Sequence, residues 1–209
     1  MKIAIFGATG KTGSHLVEQA LEAGYEVTAF VRDPSKLEVD PERLRIVEGD
    51  VREAESVARA IEGADVVISA LGHTPTSKDD ILSVAADHIL AAMQEHEVER
   101  FITLLGAGVS LPGDPSSLGR KVMRGMMKLM VGKMLEDAQA HADKVRDSDL
   151  AWTIVRPPRL TDGLHTGEVE AGYLKLGPSN KISRADLAEF MLSQVDDDTW
   201  TRQAPMVTG

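Results

Sequence analysis

The chain begins MKIAIFGATGKTGSHL, residues 1–16, and its fold turns on how the glycines at 7, 10 and 13 are read. Gly10-Lys11-Thr12 has the ending of a nucleoside-triphosphate loop, but such a loop needs a glycine five residues earlier, where this chain carries Ile5. The apolar run at 2–6 has the look of a buried strand, and Leu16, Val17, Ala20 and Leu21 recur after the turn at helical spacing. In a strand–glycine turn–helix order, the first glycine permits a tight turn. The second lets the backbone approach a pyrophosphate, and the third lets the helix pack on the strand. The helix start then offers free N–H groups and a partial positive charge to phosphates. Gly7, Thr9, Gly10, Lys11, Thr12 and Gly13 are therefore expected to hold a dinucleotide diphosphate, Lys11 adding a positive charge.

The pattern continues outward from this turn. Apolar runs follow at 26–31, 44–47, 65–69, 100–104, 152–155 and 206–207. Helical periodicity fills 12–23, 53–62, 79–95, 117–147 with a break, and 184–195. Alternating strands and helices imply βαβ units. The expectation is one domain over 1–209, an α/β fold of Rossmann type with a doubly wound parallel sheet and helices on both faces. LPGDPSS at 111–117 is a loop by its Pro, Gly and Ser content, and 157–181 reads as a long irregular connection. Loops at about 106–117 and 157–181 follow strands at the end where ligands sit in such sheets, and are expected to form the substrate pocket.

The second strand selects the cofactor. An acidic residue at its end bonds the ribose 2′-hydroxyl of NAD, whereas an arginine accommodates the 2′-phosphate of NADP. This chain reads Val31-Arg32-Asp33-Pro34-Ser35-Lys36, with Arg32 first and Ser35 and Lys36 behind it. Guanidinium and phosphate match in charge and planar geometry, so NADPH/NADP is expected over NAD. Asp33 before Pro34 is better explained as the cap of a short helix.

Composition narrows the partners. Among 209 residues, 23 are basic and 33 acidic, a formal charge of −10 that repels nucleic acid and anionic membrane. The absence of cysteine excludes disulfides, thiolate nucleophiles and Cys-bound metals. No charged leader precedes the first strand, and no stretch approaches the roughly 20 apolar residues of a membrane helix. A cytoplasmic monomer or homodimer acting on a small molecule, without a nucleic-acid or membrane partner, is expected.

Several motifs in order carry a family resemblance: KIAIFGATGKTG at 2–13, AGYEVTAFVRDPSKL at 23–37, EGDV at 48–51, VVISALG at 66–72, TIVRPPRLTDG at 153–163 and ISRADLAEFML at 182–192. Together they resemble the atypical short-chain dehydrogenases, in particular the NADPH-dependent flavin reductase and biliverdin reductase B group, with NmrA-like proteins as broader kin. The resemblance implies that Asp50 and Val51 hold the adenine. It also implies that Ala70, Leu71 and Gly72 line the path to the nicotinamide ribose, and that Pro157 and Pro158 shape the nicotinamide and substrate side. The chain departs from the group where its pocket serine falls on Gly106 and its pocket histidine on Arg159. Gly106 flattens the floor beside the cofactor, and Arg159 favours an anionic acceptor. With Pro158 and Ser110, Arg159 completes the expected pocket.

A standard alcohol-dehydrogenase mechanism is not expected. It uses Tyr-x-x-x-Lys to exchange a proton with a carbonyl or alcohol. Here Tyr25 and Tyr173 are followed four residues on by Ala29 and Gly177, and the segment at 134–147, where the pair would stand, has no tyrosine. Hydride transfer to a flat conjugated acceptor, FMN or another flavin, a biliverdin-like compound or a quinone, asks less of the protein. No residue is therefore assigned a catalytic role, and no metal is expected. His96-Glu97 lacks the second histidine of a zinc-protease motif, Ser110 lacks a nucleophile elbow, and His73, after the Ala70-Leu71-Gly72 turn, could approach substrate but reads rather as a capping or solvated loop histidine. The missing dyad equally suits a non-catalytic NADP(H) sensor of NmrA type; an epimerase or isomerase ranks last. Met123, Met126, Met127, Met130 and Met134, interleaved with lysines and arginines, form a stripe expected to pack in the core, or else to contact a flat aromatic ligand or a second subunit.

Overall fold

The structure, a computed structural model, describes residues 1–37, 39, 44–115 and 118–209, and of 118–130 the backbone alone. Six strands form one parallel sheet: β1 (Lys2–Phe6), β2 (Glu26–Val31), β3 (Leu44–Glu48), β4 (Val66–Ser69), β5 (Arg100–Leu104) and β6 (Ala151–Val155). Their order is β3-β2-β1-β4-β5-β6, so the chain reverses its winding beside β1. That reversal opens a crevice between the carboxyl ends of β1 and β4.

Five helices cover the sheet: α1 (Lys11–Glu22), α2 (Ala54–Ile61), α3 (Ile81–Glu95), α4 (Leu118–Asp147) and α5 (Arg184–Ser193). The period of two along β1 sorts the layers. Ala4 and Phe6 join Val57 and Ile61 of α2, Ile89 and Met93 of α3, and Ala142 and Val145 of α4. Ile3 and Ile5 join Leu16, Val17 and Ala20 of α1 with Leu187, Ala188 and Met191 of α5. A strand buried on both faces needs apolar residues at every position, which is why 2–6 reads as one continuous run.

Two expectations change. The strand expected at 206–207 is not one of the six ladder strands: β10 (Met206–Thr208) pairs antiparallel with β8 (Glu170–Gly172), and an isolated parallel bridge of Met206 to Arg156, just past β6, ties it to the main sheet. The connection at 157–181 is likewise not wholly irregular, because it holds β8 and β7 (Leu160–Thr161), the latter paired with β9 (Ile182–Ser183). Segments of two or three residues such as Glu-Ala-Gly carry no periodicity of their own. They are strands only because distant backbone satisfies their hydrogen bonds.

The break expected in α4 falls at Val131, whose φ of −136° and ψ of 34° leave the helix. Most of the methionine stripe precedes it and lies outside the described side chains; beyond it, Lys133 pairs with Asp79 and Met134 is exposed. The loop after β5 is held from below by Arg156, which is fully buried. Its guanidinium donates to Asp114 at 2.9 and 2.6 Å and to the carbonyls of Val109 and Ala204. Among the described residues no helix is long and apolar enough to cross a membrane.

Candidate functional site

The glycine turn is built by close approach. Gly7 sits at φ +78°, where a Cβ would stand 2.8 Å from the Ala70 carbonyl, so the turn can press against the end of β4. A Cβ on Gly13 would lie 2.0 Å from the Gly7 oxygen, so α1 can start against the turn only if this residue is glycine. Gly10 closes the turn by donating its N–H to the Gly7 oxygen at 2.9 Å and is the N-cap of α1. No side chain caps this helix and no acidic residue occupies its first turn, which leaves its N-terminus to an anion.

Two cavities meet over this turn. One, of about 280 Å³, is lined by Gly7, Thr9 and Gly10, by Arg32 and Lys36 from the end of β2, and by Val51, Ala70, Leu71 and Gly72. The other, of about 460 Å³, shares Gly10 and 70–72 with it and runs past Lys11 and Thr12 to Leu82, Leu104, Leu105, Gly106, Pro157 and Pro158. The cleft is therefore continuous, cationic at the β2 end and apolar at the β5–β6 end.

Arg32 is exposed and makes no side-chain hydrogen bond or ion pair among the described residues. Asp33 is committed elsewhere. It caps the short 3-10 turn Pro34–Lys36, accepting from the Ser35 hydroxyl at 2.6 Å and the Ser35 N–H at 3.2 Å. The Ser35 hydroxyl is the main cause holding the Asp33 carboxyl below the usual carboxylate range. A cradle that one Cβ would fill, an uncapped helix start and two cations in one cavity fit a dinucleotide diphosphate and a ribose 2′-phosphate.

Some expected residues stand apart from the cleft. Gly13 lies beneath the turn as packing, and Ser35 is spent on Asp33. Asp50 shapes the turn before α2, its carboxylate accepting from the Arg52 N–H at 2.9 Å, and leaves the cavity wall to Val51. Ser110 is tied through its backbone to Gln139. Arg159 is exposed and lines neither cavity, because its backbone carbonyl engages Ile182 at the edge of β9. The arginine that reaches the apolar end is Arg184, at the start of α5. Asp162 accepts from Arg184 at 2.5 Å and from Lys11 at 3.0 Å. The Lys11 contact is the main cause lowering the Asp162 carboxyl from its ordinary value.

His73 differs most from expectation: it neither caps a helix nor lies in solvent. It lines the apolar cavity with its side chain only 11% exposed, and its Nε2 lies 2.9 Å from Oδ2 of Asp137, itself 3% exposed on α4. Asp137 also accepts the N–H groups of Leu82 and Ser83, capping α3 from another element. One turn on, buried His141 bridges Thr103 and the Leu82 carbonyl, and burial pushes it below the ordinary histidine value. The segment expected to hold a Tyr-Lys pair thus brings Asp137 and His141 to this region. Tyr25 bonds Asp196, and neither Tyr25 nor Tyr173 lines the cleft. The available sequence signal was Asp137 and His141 four residues apart, on one face of that helix.

Among the described residues, one group of metal-ligand type comes together, His165, Asp186 and Glu189. Asp186 there already accepts from Ser183, the N-cap of α5, and from Thr166 and Gly167, and His165 pairs with Glu189.

Comparisons with known proteins agree with this geometry. A family model described as NAD(P)H-binding matches residues 7–198. YwnB of Bacillus subtilis (strain 168), an uncharacterized protein, is 26% identical over 202 residues, covering 94% of this chain and 92% of the relative. An uncharacterized chloroplast protein of Arabidopsis thaliana is 31% identical over 207 residues, covering 93% of this chain and 70% of its own. Among solved structures, the oxidoreductase ylbE of Lactococcus lactis superposes with a TM-score of 0.82 at 21% identity, covering 100% and 91% of the two chains. ChuY, an anaerobilin reductase of Escherichia coli O157:H7, superposes with a TM-score of 0.81 at 20% identity, covering 99% and 96%. At such identities the structural likeness establishes the fold.

Proposed function

Because the chain belongs to the NAD(P)H-binding family, and its motifs fit the atypical short-chain dehydrogenases, we propose that it is a reductase passing a hydride from NADPH to a flat conjugated acceptor. The acceptor is a flavin such as FMN, a biliverdin-like tetrapyrrole or a quinone. The observation that carries this reading is the single cleft with unlike ends: cations at Arg32 and Lys36, apolar walls at Leu104, Leu105, Pro157 and Pro158.

Bound there, the dinucleotide supplies the hydride; the rest of the work belongs to the chain. The open N-terminus of α1 and Lys11 take the diphosphate, and Arg32 with Lys36 take the 2′-phosphate. Val51 and 70–72 hold the adenine and ribose path, and Gly106 leaves a flat floor. The apolar end excludes water and positions the acceptor, which supplies much of the rate without a Tyr-Lys pair. Arg184, reaching this end, suits an acceptor bearing a phosphate or carboxylate. ChuY, named as a reductase of an anaerobilin, supports the conjugated-acceptor reading by its shared fold. A cytoplasmic monomer or homodimer, with no nucleic-acid or membrane partner, completes the proposal.

The test is NADPH oxidation, followed by loss of its near-ultraviolet absorbance, with FMN, riboflavin, biliverdin and a simple quinone offered in parallel and NADH as control. Turnover with at least one acceptor and preference for NADPH is expected. Tight NADPH binding with no turnover on any acceptor would replace the reductase by an NADP(H) sensor.

A further inference from the structure

We propose that His73, held by Asp137, is the acid that delivers the proton to the acceptor as the hydride arrives; the role rests on the reductase reading above. The geometry fixes which ring nitrogen is available. Asp137 Oδ2 accepts from the Leu82 N–H at 2.8 Å and lies 2.9 Å from His73 Nε2, while Oδ1 accepts from the Ser83 N–H at 2.9 Å. Two backbone donors at the start of α3 thus point at this carboxylate, with the favourable end of that helix's dipole beside it. A carboxylate held by donors accepts, so Nε2 carries a proton toward it. Nδ1, which has no hydrogen-bond partner among the described residues, is left to carry the second, transferable proton. This is the base-and-orienter arrangement of many active sites, running here in the acid direction.

The step balances. The hydride adds to an electrophilic atom of the conjugated acceptor, and the electron pair of the reduced π bond moves to a conjugated nitrogen or oxygen. The Nδ1–H bond of the imidazolium breaks and its proton goes to that atom. Neutral His73 remains, with Nε2–H still on Asp137, and regains its proton from water. Among the described residues, several charged groups around this cavity are paired: Lys11 of α1 and Arg184 of α5 on Asp162, and, on the loop that bears His73, Asp79 on Lys133 and Asp80 on Arg52, while Lys78 of that loop is exposed. Burial pushes His141 of α4 below the ordinary histidine value, and Lys144 beyond it is bound to Asp87. Among the described residues lining the apolar cavity, His73 is the ionisable side chain without a permanent charge.

The test is His73→Gln, whose amide N–H can keep the Asp137 hydrogen bond while losing the transferable proton. Expected are a fall in kcat of about 10²-fold or more, an unchanged Kd for NADPH, and absence of the alkaline decline of kcat/KM expected of the unaltered protein. A second readout needs no turnover: nitrogen NMR of the histidine rings in the protein alone, where neutral His73 is expected to carry its proton on Nε2. A variant that keeps the rate and pH profile, or a neutral ring protonated on Nδ1, would reduce His73 to a tether and overturn the proposal. If the unaltered protein reduces none of the acceptors, the reductase reading and this role fall together; turnover indifferent to His73→Gln removes the role alone.

Discussion

The two ends of the cleft are made by different means. The nucleotide end is written in the backbone of one short stretch: Gly7 at positive φ, Gly10 capping α1 and Gly13 lying against the Gly7 carbonyl fall within seven residues. The other end, where the proposal seats the acceptor, is assembled by side chains from far apart. Arg156 and Asp114 are separated by 42 residues, His73 and Asp137 by 64, and Lys11 and Asp162 by 151. The first kind of site needs only local φ, ψ and the absence of Cβ atoms. The second exists only once the sheet has brought β4, β5 and β6 side by side.

The largest expected effect probes the acceptor end. In Asp114→Asn, buried Arg156 keeps its charge but loses its carboxylate, and leaving a buried charge uncompensated costs about 3–5 kcal/mol. For a chain of this size the melting temperature should fall by roughly 10 °C. Acceptor turnover should fall with it, since Arg156 holds the loop through Val109 and Asp114, whereas the Kd for NADPH below the transition should stay within twofold. Equal loss of NADPH affinity would mean that the two ends are one cooperative unit, and the contrast would fail.

The next effect probes the backbone-built end. Gly13→Ala places a methyl 2.0 Å from the Gly7 oxygen, and neither backbone can yield without moving α1 off β1. A cost of about 3 kcal/mol and loss of detectable NADPH binding are expected, by overpacking at a site that cannot relax. Gly106→Ala is the counterpart: a Cβ there meets nothing within 4 Å, so stability should change by less than about 0.5 kcal/mol. Thermal melts and NADPH fluorescence titration of the pair measure both. A tolerated Gly13→Ala would show that the turn is soft, contrary to its close packing.

This contrast also explains how far the sequence could be read. The six strands of the sheet, the five helices and the break in α4 follow from apolar periodicity, because burial on two faces imposes a pattern on every residue of a strand. The glycine turn was legible because its constraint is steric and local. Asp33 as a cap was legible because Asp-Pro acts within three residues. His73–Asp137 was not, since nothing in either neighbourhood signals a partner 64 residues away. Arg159 and Arg184 show the same limit. Both stand near the carboxyl end of a strand, and only the course of β7 and β9 leaves Arg159 at the surface and brings Arg184 to the cavity. Local signals pointed to many of the residues that line the glycine-turn end of the cleft, and pointed to the β5–β6 end only as loops without a chemistry.

The smallest expected effect sharpens the comparison at its cationic edge. Arg32 lines the nucleotide cavity, and among the described residues the carboxylate at the end of β2, Asp33, is taken up by Ser35 and Lys36. Arg32→Ala should therefore weaken NADPH by about 10- to 100-fold, the roughly 1.5–3 kcal/mol of a charge-assisted hydrogen bond, while NADH affinity moves by less than twofold. Lys36, also on this cavity, should retain part of the preference, so the full change appears only in Arg32→Ala combined with Lys36→Ala. Arg159→Ala serves as the control, an exposed arginine outside both cavities whose loss should alter neither cofactor's Kd nor the KM for an anionic acceptor. Titrating both cofactors against these variants decides the matter. Equal losses for NADPH and NADH on removing Arg32 would show that it acts on the diphosphate rather than on the 2′-phosphate, and the cationic edge would then belong to binding in general and not to the choice between cofactors.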